Sequence, residues 1–513
     1  MDVVAYDVAI IGYGPTGMSA AGLLGKAGHR VIVIERWPTL YGLPRLTHID
    51  DQTARTLQEI CDIDDAMADA SPTVYEWVNG QDQLLLFIPT QDGNQGYPEH
   101  NSIYQPDIED ALDRRLRTFP NVEIRQGWVV THIEQRADEV VITAAPFVDR
   151  QPDIARSETI RARYAIGSDG NRSMVREATG TSMTDYDFNE TWVTFDAEWL
   201  RPMPEEFAIA KQYCDPRRGH MFMGIGHNRQ RFEFAVLPGE DPEQYADISA
   251  GWKWLAATHG LAPQDLRPLR YLRYSFAGRV ADRWRSGRIF IAGDAAHTMP
   301  PYLGQGACSG IRDSANLAWK LDLVLKGVAG EGLLDTYETE RRPHADFVVR
   351  SAIALGRVAN TIDPATAAVR DRAFFDGTAE GPEPFPRLTG PALHDDPSSG
   401  VMAPQGDVVA AGRRGRGDDV LGTGFRLISR RAALDGLEPD ERAILEELDF
   451  QVIDLDEVQD IDRRYERLLE GAGAAAALVR PDHIVYGVAT GADTGLLIRS
   501  MREAFQLRES AVA

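Results

Sequence analysis

The stretch YDVAIIGYGPTGMSAAGLLGKAGHRVIVIER, residues 6–36, decides the fold of the N-terminal part of the chain. Residues 8–11 form a continuous apolar run, which is typical of a parallel strand buried on both faces. A glycine-rich turn follows, then a helix predicted over about residues 16–27 and a second apolar strand. This order of strand, turn, helix and strand indicates an α/β domain built on a parallel sheet.

The predicted turn carries the motif G-x-G-x-x-G at Gly12, Gly14 and Gly17. In this motif the first glycine permits the turn, the second lets the backbone approach a pyrophosphate, and the third lets the helix pack against the strand. Pro15 and Thr16 start the helix, whose free N–H groups and positive dipole end favour a phosphate. The turn is therefore predicted to bind a nucleotide.

An acidic residue, Glu35, ends the second apolar strand and is followed by Arg36. A carboxylate at this distance from the glycines accepts hydrogen bonds from the two hydroxyls of a ribose, and it repels a 2′-phosphate. Because strand, turn, helix and acid all occur in order, the segment predicts a dinucleotide site. These residues alone do not distinguish NAD from FAD.

Composition limits the classes of function. The 513 residues carry a formal net charge of −24, which argues against nucleic acid or an anionic membrane surface as the main partner. The cysteines Cys61, Cys214 and Cys308 lie far apart, as expected for a reducing compartment and not for a zinc site. No apolar run reaches the roughly 20 residues of a membrane span, and the N-terminus lacks a signal-peptide pattern. We therefore predict a cytoplasmic enzyme of two or three domains that binds no metal.

Two later stretches each combine an apolar strand with an acidic turn. RYAIGSDGNRSMVREATG, residues 163–180, has Asp169 at the end of a predicted strand, where ligands of open parallel sheets bind. Taken alone, this Asp-Gly turn is a common loop feature. RIFIAGD, residues 288–294, ends in Gly293 and Asp294, and Asp294 is predicted to accept a hydrogen bond from a flexible polyol such as ribityl.

A double proline and a helix start follow the second of these turns. Pro300 and Pro301 fix two φ angles and remove two N–H donors, so they are expected to form a rigid wall. The helix after GQG presents free N–H groups from around Gln305, Gly306 and Ala307. Such donors suit the N1–C2=O edge of an isoalloxazine ring, where negative charge develops on reduction. The combination of acid, prolines and helix start points to FAD.

The three motifs GYGPTG with Glu35, GSDGNRSMVR and GDAAHTMPPYLGQG resemble those of a known family. They are similar to the FAD motifs of the class A flavoprotein monooxygenases, the single-component aromatic hydroxylases that include p-hydroxybenzoate hydroxylase and phenol hydroxylase. Within this class the chain most resembles the 3-(3-hydroxyphenyl)propionate hydroxylases. The resemblance also includes PRLTHIDDQTARTLQ and covers most of the first 350 residues. It departs at Cys308, where members of the class usually have asparagine.

The resemblance implies an NAD(P)H- and FAD-dependent monooxygenase. In the reaction that it implies, NADH or NADPH reduces FAD, O2 adds at flavin C4a, and the hydroperoxide transfers one oxygen atom to an aromatic ring. The implied substrate is a small phenol, carboxylate-bearing as in 3-hydroxyphenylpropionate, and a homodimer is an option for the assembly. The chain has no second G-x-G-x-x-G domain, so the choice between NADH and NADPH stays open.

The resemblance also implies which residues hold the cofactor. It places Arg45 and Gln105 near the pyrophosphate and the ribityl chain. The predicted FAD site then consists of Gly12, Gly14, Pro15, Thr16, Gly17, Glu35, Arg36, Arg45, Gln105, Asp169, Gly293, Asp294, Pro301, Gln305, Gly306 and Ala307.

Several residues are candidates for catalysis. Histidine suits proton transfer near neutral pH, and His48 lies in a loop that the class places near the flavin. Tyr213 and His220, on the predicted substrate sheet, are comparable candidates for the base that ionises a phenol, and Pro301 is expected to line the reacting face. The histidines could instead be hydrogen-bonded structural residues. Three arginines could either pair with a substrate carboxylate or lie at solvated strand ends: Arg217, Arg218 and Arg231.

The implied fold class is α/β, with a Rossmann-like FAD-binding domain of the glutathione-reductase type, an inserted β-sheet substrate domain and a C-terminal thioredoxin-like α/β domain. All three cysteines precede residue 310, so the last domain cannot perform dithiol chemistry. A Pro- and Gly-rich stretch predicts a linker before it. The predicted boundaries are 1–72, 98–180 and 277–376 for the FAD domain, 73–97 and 181–276 for the substrate domain, 377–395 for the linker and 396–513 for the C-terminal domain.

Two other functions remain open on this scaffold. The same three domains host Baeyer–Villiger oxidation, epoxidation or hydroxylation of a polyketide or heteroaromatic substrate. A non-enzymatic FAD-fold carrier, of the kind that Rab GDP-dissociation inhibitors represent, keeps the first glycine motif and loses the later flavin contacts. The presence of Asp294 and Pro301 favours an enzyme.

Overall fold

Residues 6–36 form the predicted strand, turn, helix and strand in the structure, a computed structural model that describes residues 5–381 and 383–508. Up to residue 180 the strands are β1 (Tyr6–Ile11), β2 (Val31–Glu35), β3 (His48–Asp50), β4 (Ser71–Pro72), β5 (Tyr75–Asn79), β6 (Leu84–Ile88), β7 (His100–Ser102), β8 (Val122–Gln126), β9 (Trp128–Gln135), β10 (Val140–Val148), β11 (Gln151–Pro152) and β12 (Glu158–Gly167). The helices of this part are α1 (Pro15–Lys26), α2 (Asp51–Gln58), α3 (Ile63–Ala66), α4 (Gln105–Leu116) and α5 (Met174–Thr179).

The middle of the chain adds long strands and long helices. Its strands are β13 (Met183–Trp199), β14 (Ala210–Cys214), β15 (His220–Gly224), β16 (Arg229–Ala235), β17 (Leu266–Ala281), β18 (Arg285–Ser286), β19 (Ile289–Ile291) and β20 (His297–Thr298). Its helices are α6 (Ile248–His259), α7 (Gly306–Leu325), α8 (Asp335–Ala359) and α9 (Pro364–Phe375).

The last part of the chain forms a separate α/β unit. Its strands are β21 (Asp407–Ala410), β22 (Arg413–Arg416), β23 (Arg426–Ser429), β24 (Gln451–Asp454), β25 (Gln459–Asp460), β26 (Ala476–Val479) and β27 (Val485–Ala489). Its helices are α10 (Gly417–Leu421), α11 (Arg431–Asp435), α12 (Pro439–Glu447), α13 (Arg464–Ala472) and α14 (Thr494–Ala504).

The first sheet brings the three acidic and glycine-rich turns together. Its strands β8, β2, β1, β12 and β19 lie side by side and run parallel, with β10 and β9 added antiparallel beyond β12. The apolar run of β1 is fully buried, and α1 packs against α7. Because the carboxyl ends of parallel strands meet at one edge, the turns after β1, β12 and β19 place Gly12, Asp169 and Asp294 along the same edge.

The second sheet has eight strands in the order β20-β17-β13-β16-β15-β14-β5-β6. Strands β5 and β6 come from the predicted inserted segment 73–97, and they join strands from residues 183–281. Strand β17 continues past the predicted boundary at 276 to Ala281, where it pairs with β13 and β20. Helix α6 covers one face of this sheet with a cluster of aromatic side chains. The exact domain boundaries stay a prediction.

The C-terminal unit agrees with the predicted thioredoxin-like class. Its main sheet has the order β24-β23-β26-β27, in which β24 and β23 run parallel and the other pairs antiparallel. The predicted linker 377–395 has neither helix nor strand in its described residues. Residue 382 of the linker, residues 1–4 of the predicted FAD domain and residues 509–513 of the predicted C-terminal domain lie outside the described residues.

Buried ion pairs fix the C-terminal unit to the FAD domain. Arg55 on α2 and Asp418 on α10 lie 2.7 Å apart, with side-chain exposures of 0% and 1%. Arg480 and Glu340 on α8 lie 2.8 Å apart and are both fully buried. Because a buried charge without its partner is costly, these pairs hold the two parts in one arrangement.

Candidate active site

One cavity of about 1650 Å³ lies between the turn-bearing edge of the first sheet and the uncovered face of the second. It unites motifs that are far apart in sequence. The residues of the predicted FAD site that line it are Gly12, Gly14, Pro15, Thr16, Glu35, Arg36, Arg45, Gln105, Asp169, Asp294, Pro301, Gly306 and Ala307.

The first turn leaves an open place beside the start of α1. Gly12 has φ +108°, a backbone conformation that favours glycine. A Cβ added at Gly14 would meet no atom within 4 Å, so the turn leaves room there for a ligand's phosphates. The two oxygens of Glu35 accept the backbone N–H groups of Tyr13 and Trp37, both at 2.9 Å. The carboxylate is thereby held at the end of β2.

Two aspartates line the cavity at the ends of β12 and β19. Asp169 accepts the N–H groups of Met174 and Val175 at 2.8 and 3.2 Å, so it also caps the start of α5. In the part of the chain that the structure describes, nothing makes a hydrogen bond or ion pair to the carboxylate of Asp294, and its surroundings raise its pKa by desolvation. An unpaired carboxylate facing a cavity fits a ligand that donates hydroxyl hydrogen bonds.

The start of α7 also faces the cavity, through Gly306 and Ala307. The side chain of Gln305 does not line it, and the expectation that the backbone N–H of Gln305 contacts the cofactor stays a prediction. Its amide nitrogen donates to Asp50 at 3.1 Å, and its oxygen accepts from Arg312 at 2.9 Å. Gln305 therefore anchors α7 to the end of β3, and only its backbone remains for a ligand.

Gly17 and Gly293 lie outside the cavity wall, and their assignment to the cofactor site stays a prediction. A Cβ at Gly17 would lie 2.1 Å from the carbonyl oxygen of Gly12. A Cβ at Gly293 would lie 2.6 Å from Oγ1 of Thr16. Both glycines therefore serve the close packing of backbone that shapes the turn.

A glutamine fixes the loop that precedes β3. Oε1 of Gln105 accepts the backbone N–H groups of Arg45 and Leu46 at 2.8 and 2.7 Å. The Arg45 guanidinium lies over the ring of Tyr41, 4.1 Å from its centroid, and both side chains line the cavity. This places a cation beside the dinucleotide end of the cavity.

The other end of the cavity is largely apolar, as expected for an aromatic ligand. Tyr302, in the turn after Pro301, packs its ring edge-on against Trp192 and Phe276. Its hydroxyl donates to Glu190 at 2.5 Å, so that donor already has a partner within the protein. Further wall residues from the sheet and α8 are Trp77, Leu86, Ile88, Met221, Met223, Leu272 and Leu355.

Tyr213 and His220 lie outside the cavity, which corrects their prediction as candidate bases. Their rings stack on each other with centroids 4.2 Å apart. Nδ1 of His220 lies 3.0 Å from the carbonyl oxygen of Arg218, and Trp254 of α6 packs against its ring. Side chains alternate along a strand, so Met221 and Met223 face the cavity while His220 faces α6.

His48 and Pro301, the other candidate catalytic residues, both line the cavity. Nε2 of His48 lies 3.2 Å from Nδ1 of His100, and Nδ1 lies 3.4 Å from the carbonyl oxygen of Gly304. Burial lowers the pKa of His48 to about 4. Tyr75 packs its ring against both imidazoles.

Sequence reasoning missed His100, Tyr75 and the linker residues Glu383, Pro384 and Phe385, all of which line the cavity. His100 belongs to no motif, and only the pairing of β7 with β3 brings it to His48. Among the described residues, no group of three or more His, Cys, Asp or Glu side chains could hold a metal ion, and no helix is long and apolar enough to cross a membrane.

Comparison with known proteins covers nearly the whole chain. The family profile described as FAD binding domain matches residues 5–352, and the profile described as HcaD C-terminal domain matches residues 400–504. The “Probable NADH-specific resorcinol 4-hydroxylase” of Rhodococcus jostii is 36% identical over 503 residues, which are 95% of this chain and 93% of that protein. The chain belongs to the FAD-dependent aromatic hydroxylases.

Other relatives of this hydroxylase agree. A 3-(3-hydroxy-phenyl)propionate/3-hydroxycinnamic acid hydroxylase of a Mycobacterium species is 33% identical over 443 residues, 82% of the hydroxylase and 74% of that protein. The crystal structure of aklavinone-11 hydroxylase with FAD and aklavinone has a TM-score of 0.79 at 25% identity and covers 98% of the hydroxylase and 100% of that chain. The predicted family, fold class and FAD cofactor are confirmed, and the hydroxylase is an enzyme and not a carrier.

Replacing Asp294 by alanine is expected to weaken FAD binding by the hydroxylase about 10- to 100-fold. The carboxylate is unpaired and faces the cavity, and a hydrogen bond to a charged group contributes about 1.5–3 kcal/mol. Titration of FAD-free protein with FAD, followed by flavin fluorescence, gives the Kd. Asp138→Ala, at an exposed position outside the cavity, is the control. An unchanged Kd for Asp294→Ala would remove Asp294 from the cofactor site.

Proposed function

We propose that this hydroxylase adds one oxygen atom to a small, uncharged phenol of the resorcinol type, with NADH as the reductant. The name of the Rhodococcus relative supports this choice, as does the charge pattern of the cavity wall. The polar groups at the apolar end include the imidazoles of His48 and His100, the hydroxyl of Tyr75 and the hydrogen-bonded Tyr302, and carboxylates border this end.

The charge pattern is the observation that carries the proposal. The second sheet contributes five cationic side chains to the cavity wall, and in the described structure each of them already has a carboxylate partner. The pairs are Lys211 with Asp82 at 3.2 Å, Arg231 with Asp196 at 2.7 Å, Arg270 with Asp196 at 3.6 Å, Arg273 with Glu243 at 2.8 Å and Arg279 with Asp185 at 2.7 Å. Arg231 and Arg270 share the one carboxylate of Asp196, and Nε of Arg270 makes no hydrogen bond in the described structure. A substrate carboxylate would lose its hydration and would have to compete with a resident carboxylate at each of these cations, which is unfavourable.

A half-buried glutamate lies on the same wall. Glu233 lines the cavity, and desolvation raises its pKa, although Arg231 lowers it in part. Its oxygen accepts the hydroxyl of Thr194 at 2.9 Å. Arg217 and Arg218, which could have met a substrate carboxylate, lie outside the cavity wall and pair with Asp215 and Glu240.

The cavity fits FAD in the orientation that its three motifs suggest. Gly14 would leave space for the pyrophosphate, Glu35 would accept from the ribose hydroxyls, and Asp294 would accept from the ribityl chain. The N–H groups of Gly306 and Ala307 would donate to the pyrimidine edge of the ring. When bound, FAD supplies electron transfer from NADH and the activation of O2 for transfer to the substrate ring.

The walls of the apolar end hold the phenol and keep water out. Trp192, Met221 and Met223 line this end and would pack against the substrate ring, and Pro301 would close the side next to the cofactor. Exclusion of water favours oxygen transfer to the ring over release of peroxide. A cytoplasmic location and a homodimer stay predictions from sequence.

The test is a comparison of phenols as stimulants of NADH consumption by the FAD-loaded protein. Resorcinol is expected to give a kcat/KM at least about tenfold above that of 3-(3-hydroxyphenyl)propionate, because it has no carboxylate that must lose its hydration. A factor of ten corresponds to about 1.4 kcal/mol. Product mass must increase by one oxygen, and peroxide release is measured in parallel. Equal or lower kcat/KM for resorcinol would contradict the proposal.

One observation favours 3-(3-hydroxyphenyl)propionate as a second candidate. Lys211 lies at the cavity wall on β14, and its partner Asp82 is 60% exposed, so water already competes for that ion pair. The Mycobacterium relative carries this substrate in its name. Lys211→Met should then raise KM for the propionate and leave KM for resorcinol unchanged.

A further inference from the structure

Two imidazoles at the apolar end of the cavity form a directed hydrogen-bond chain. His48 begins β3 and His100 begins β7, and the two strands pair antiparallel, so both rings reach the cavity wall. Nε2 of His48 lies 3.2 Å from Nδ1 of His100, and the ring centroids are 5.3 Å apart. The contact is a hydrogen bond whose direction depends on which nitrogen carries the proton.

The carbonyl oxygen of Gly304 sets that direction. It lies 3.4 Å from Nδ1 of His48, and because a carbonyl only accepts, Nδ1 must carry the hydrogen. Burial keeps His48 neutral by lowering its pKa to about 4, so its Nε2 holds a lone pair. Nδ1–H of His100 donates to that lone pair. Burial also lowers the pKa of His100, so its Nε2 is left as the unprotonated nitrogen.

The close approach of Gly304 to His48 depends on a glycine. Gly304 has φ +65°, and a Cβ there would lie 2.7 Å from Nδ1 of His48. The turn of Pro301 to Leu303 and the start of α7 hold this glycine on both sides. The carbonyl that fixes the tautomer is therefore built into the same turn as the proline wall.

We propose that Nε2 of His100 accepts the proton of the substrate's phenolic hydroxyl, and that His48 is a positioning residue that fixes the tautomer of His100. The inference rests on the proposed function. His100 lines the cavity, and among the described residues no hydrogen bond is made to its Nε2. In this step the O–H bond breaks, its electron pair stays on oxygen, and an N–H bond forms on Nε2. The resulting imidazolium still donates from Nδ1 to His48, now through a stronger charge-assisted hydrogen bond.

The electrostatic surroundings define the expected pH dependence. The charged and titratable groups facing the pair are Asp50 on β3, Glu99 before β7, Tyr75 on β5, and Cys308 and Arg312 on α7. Burial lowers the pKa of His100, while Glu99 and Asp50 raise it in part. Since the neutral ring is the acceptor, kcat/KM should rise with pH through a limb on the acid side of 6.5 and then level off.

The test uses the FAD-loaded protein with NADH and resorcinol, and follows kcat/KM from acid to alkaline pH. His100→Gln should lose about 100-fold in kcat/KM, within the range for a general base, and should lose the acid limb. A fluorinated resorcinol with a more acidic hydroxyl should restore part of the rate. His48→Gln should lose less kcat/KM than His100→Gln, and its acid limb should remain but lie at a different pH. His132→Gln, an exposed histidine, is the control.

Folding and substrate identity are separated from the proton step by further measurements. FAD content and the urea midpoint are compared for each variant, and His100→Asn is tested if His100→Gln does not fold. The proposal is overturned if His100→Gln keeps the acid limb and its kcat/KM lies within twofold of the wild-type value. If the wild type oxidises NADH with 3-(3-hydroxyphenyl)propionate but not with resorcinol, the proposed substrate fails and the same pH profiles on that phenol decide the role of His100. A wild type inactive with both phenols overturns both proposals.

Discussion

Replacing Gly12 by alanine should lower the free energy of unfolding of the FAD-free protein by about 3 kcal/mol, which combines backbone strain with overpacking. Gly12 has φ +108°, and an added Cβ would lie 2.3 Å from the carbonyl oxygen of Ser168. The Ser168 backbone cannot retreat easily, because its N–H donates to Ile11 at 2.8 Å between β1 and β12. The clash therefore opens the edge of the parallel sheet. Urea unfolding followed by circular dichroism measures the change.

Gly14→Ala is the matched comparison, one motif position further along the same turn. Gly14 has an extended backbone, with φ −88° and ψ −177°, and an added Cβ would meet no protein atom within 4 Å. The FAD-free stability should change by less than about 1 kcal/mol, while the Kd for FAD should rise at least tenfold because the methyl group enters the cavity. Equal losses of stability for both variants, or unchanged FAD binding by Gly14→Ala, would contradict this division of roles.

Replacing Arg480 by alanine should lower the free energy of unfolding by about 3–5 kcal/mol, the cost of breaking a buried ion pair from one side. The fully buried guanidinium donates to both oxygens of Glu340 at 3.0 and 2.8 Å and to both oxygens of Asp482 at 3.0 and 2.5 Å. Its removal leaves two carboxylates to share one remaining cation, Lys320, 3.0 Å from Glu340.

The control for this variant is Arg414→Ala, which removes an exposed arginine paired with Asp407 at 2.8 Å. Exposed pairs contribute about 0–1 kcal/mol, so the two variants should differ severalfold in their effect on the urea midpoint. Limited proteolysis at the linker 377–395 should be faster for Arg480→Ala, because the C-terminal unit is then held less firmly. Loss of less than about 1 kcal/mol by Arg480→Ala would show that the buried network is replaceable.

Much of the fold could be predicted from sequence because backbone chemistry specifies it locally. The glycines at 12, 14 and 17, an apolar strand on each side and Glu35 define the first βαβ unit without further information. The parallel order then brings Asp169 and Asp294 to the same edge, since all three turns follow strands of one sheet. For motif residues of this kind, the local sequence alone specifies the backbone conformation.

The residues at the substrate end could not be predicted in the same way. On β15 both faces bear large side chains, so alternation alone does not say that α6 covers the face of His220 and leaves Met221 to the cavity. His100 meets His48 only through the pairing of β7 with β3, across about fifty residues of chain. Gln305 belongs to a motif, yet its side chain is used by Asp50 and Arg312. Long-range packing decides these positions.

The buried network around Arg480 constrains how such enzymes can be recombined. Helix α7 begins at the cofactor end of the cavity, and its middle presents Asn316 and Lys320 to Glu340 and Asp482. A chimera that took its last hundred residues from another flavoenzyme would also need matching side chains at positions 316, 320 and 340. Without them, buried charged groups between the two units would lack partners. The C-terminal unit and helix α7 are therefore coupled through one buried network.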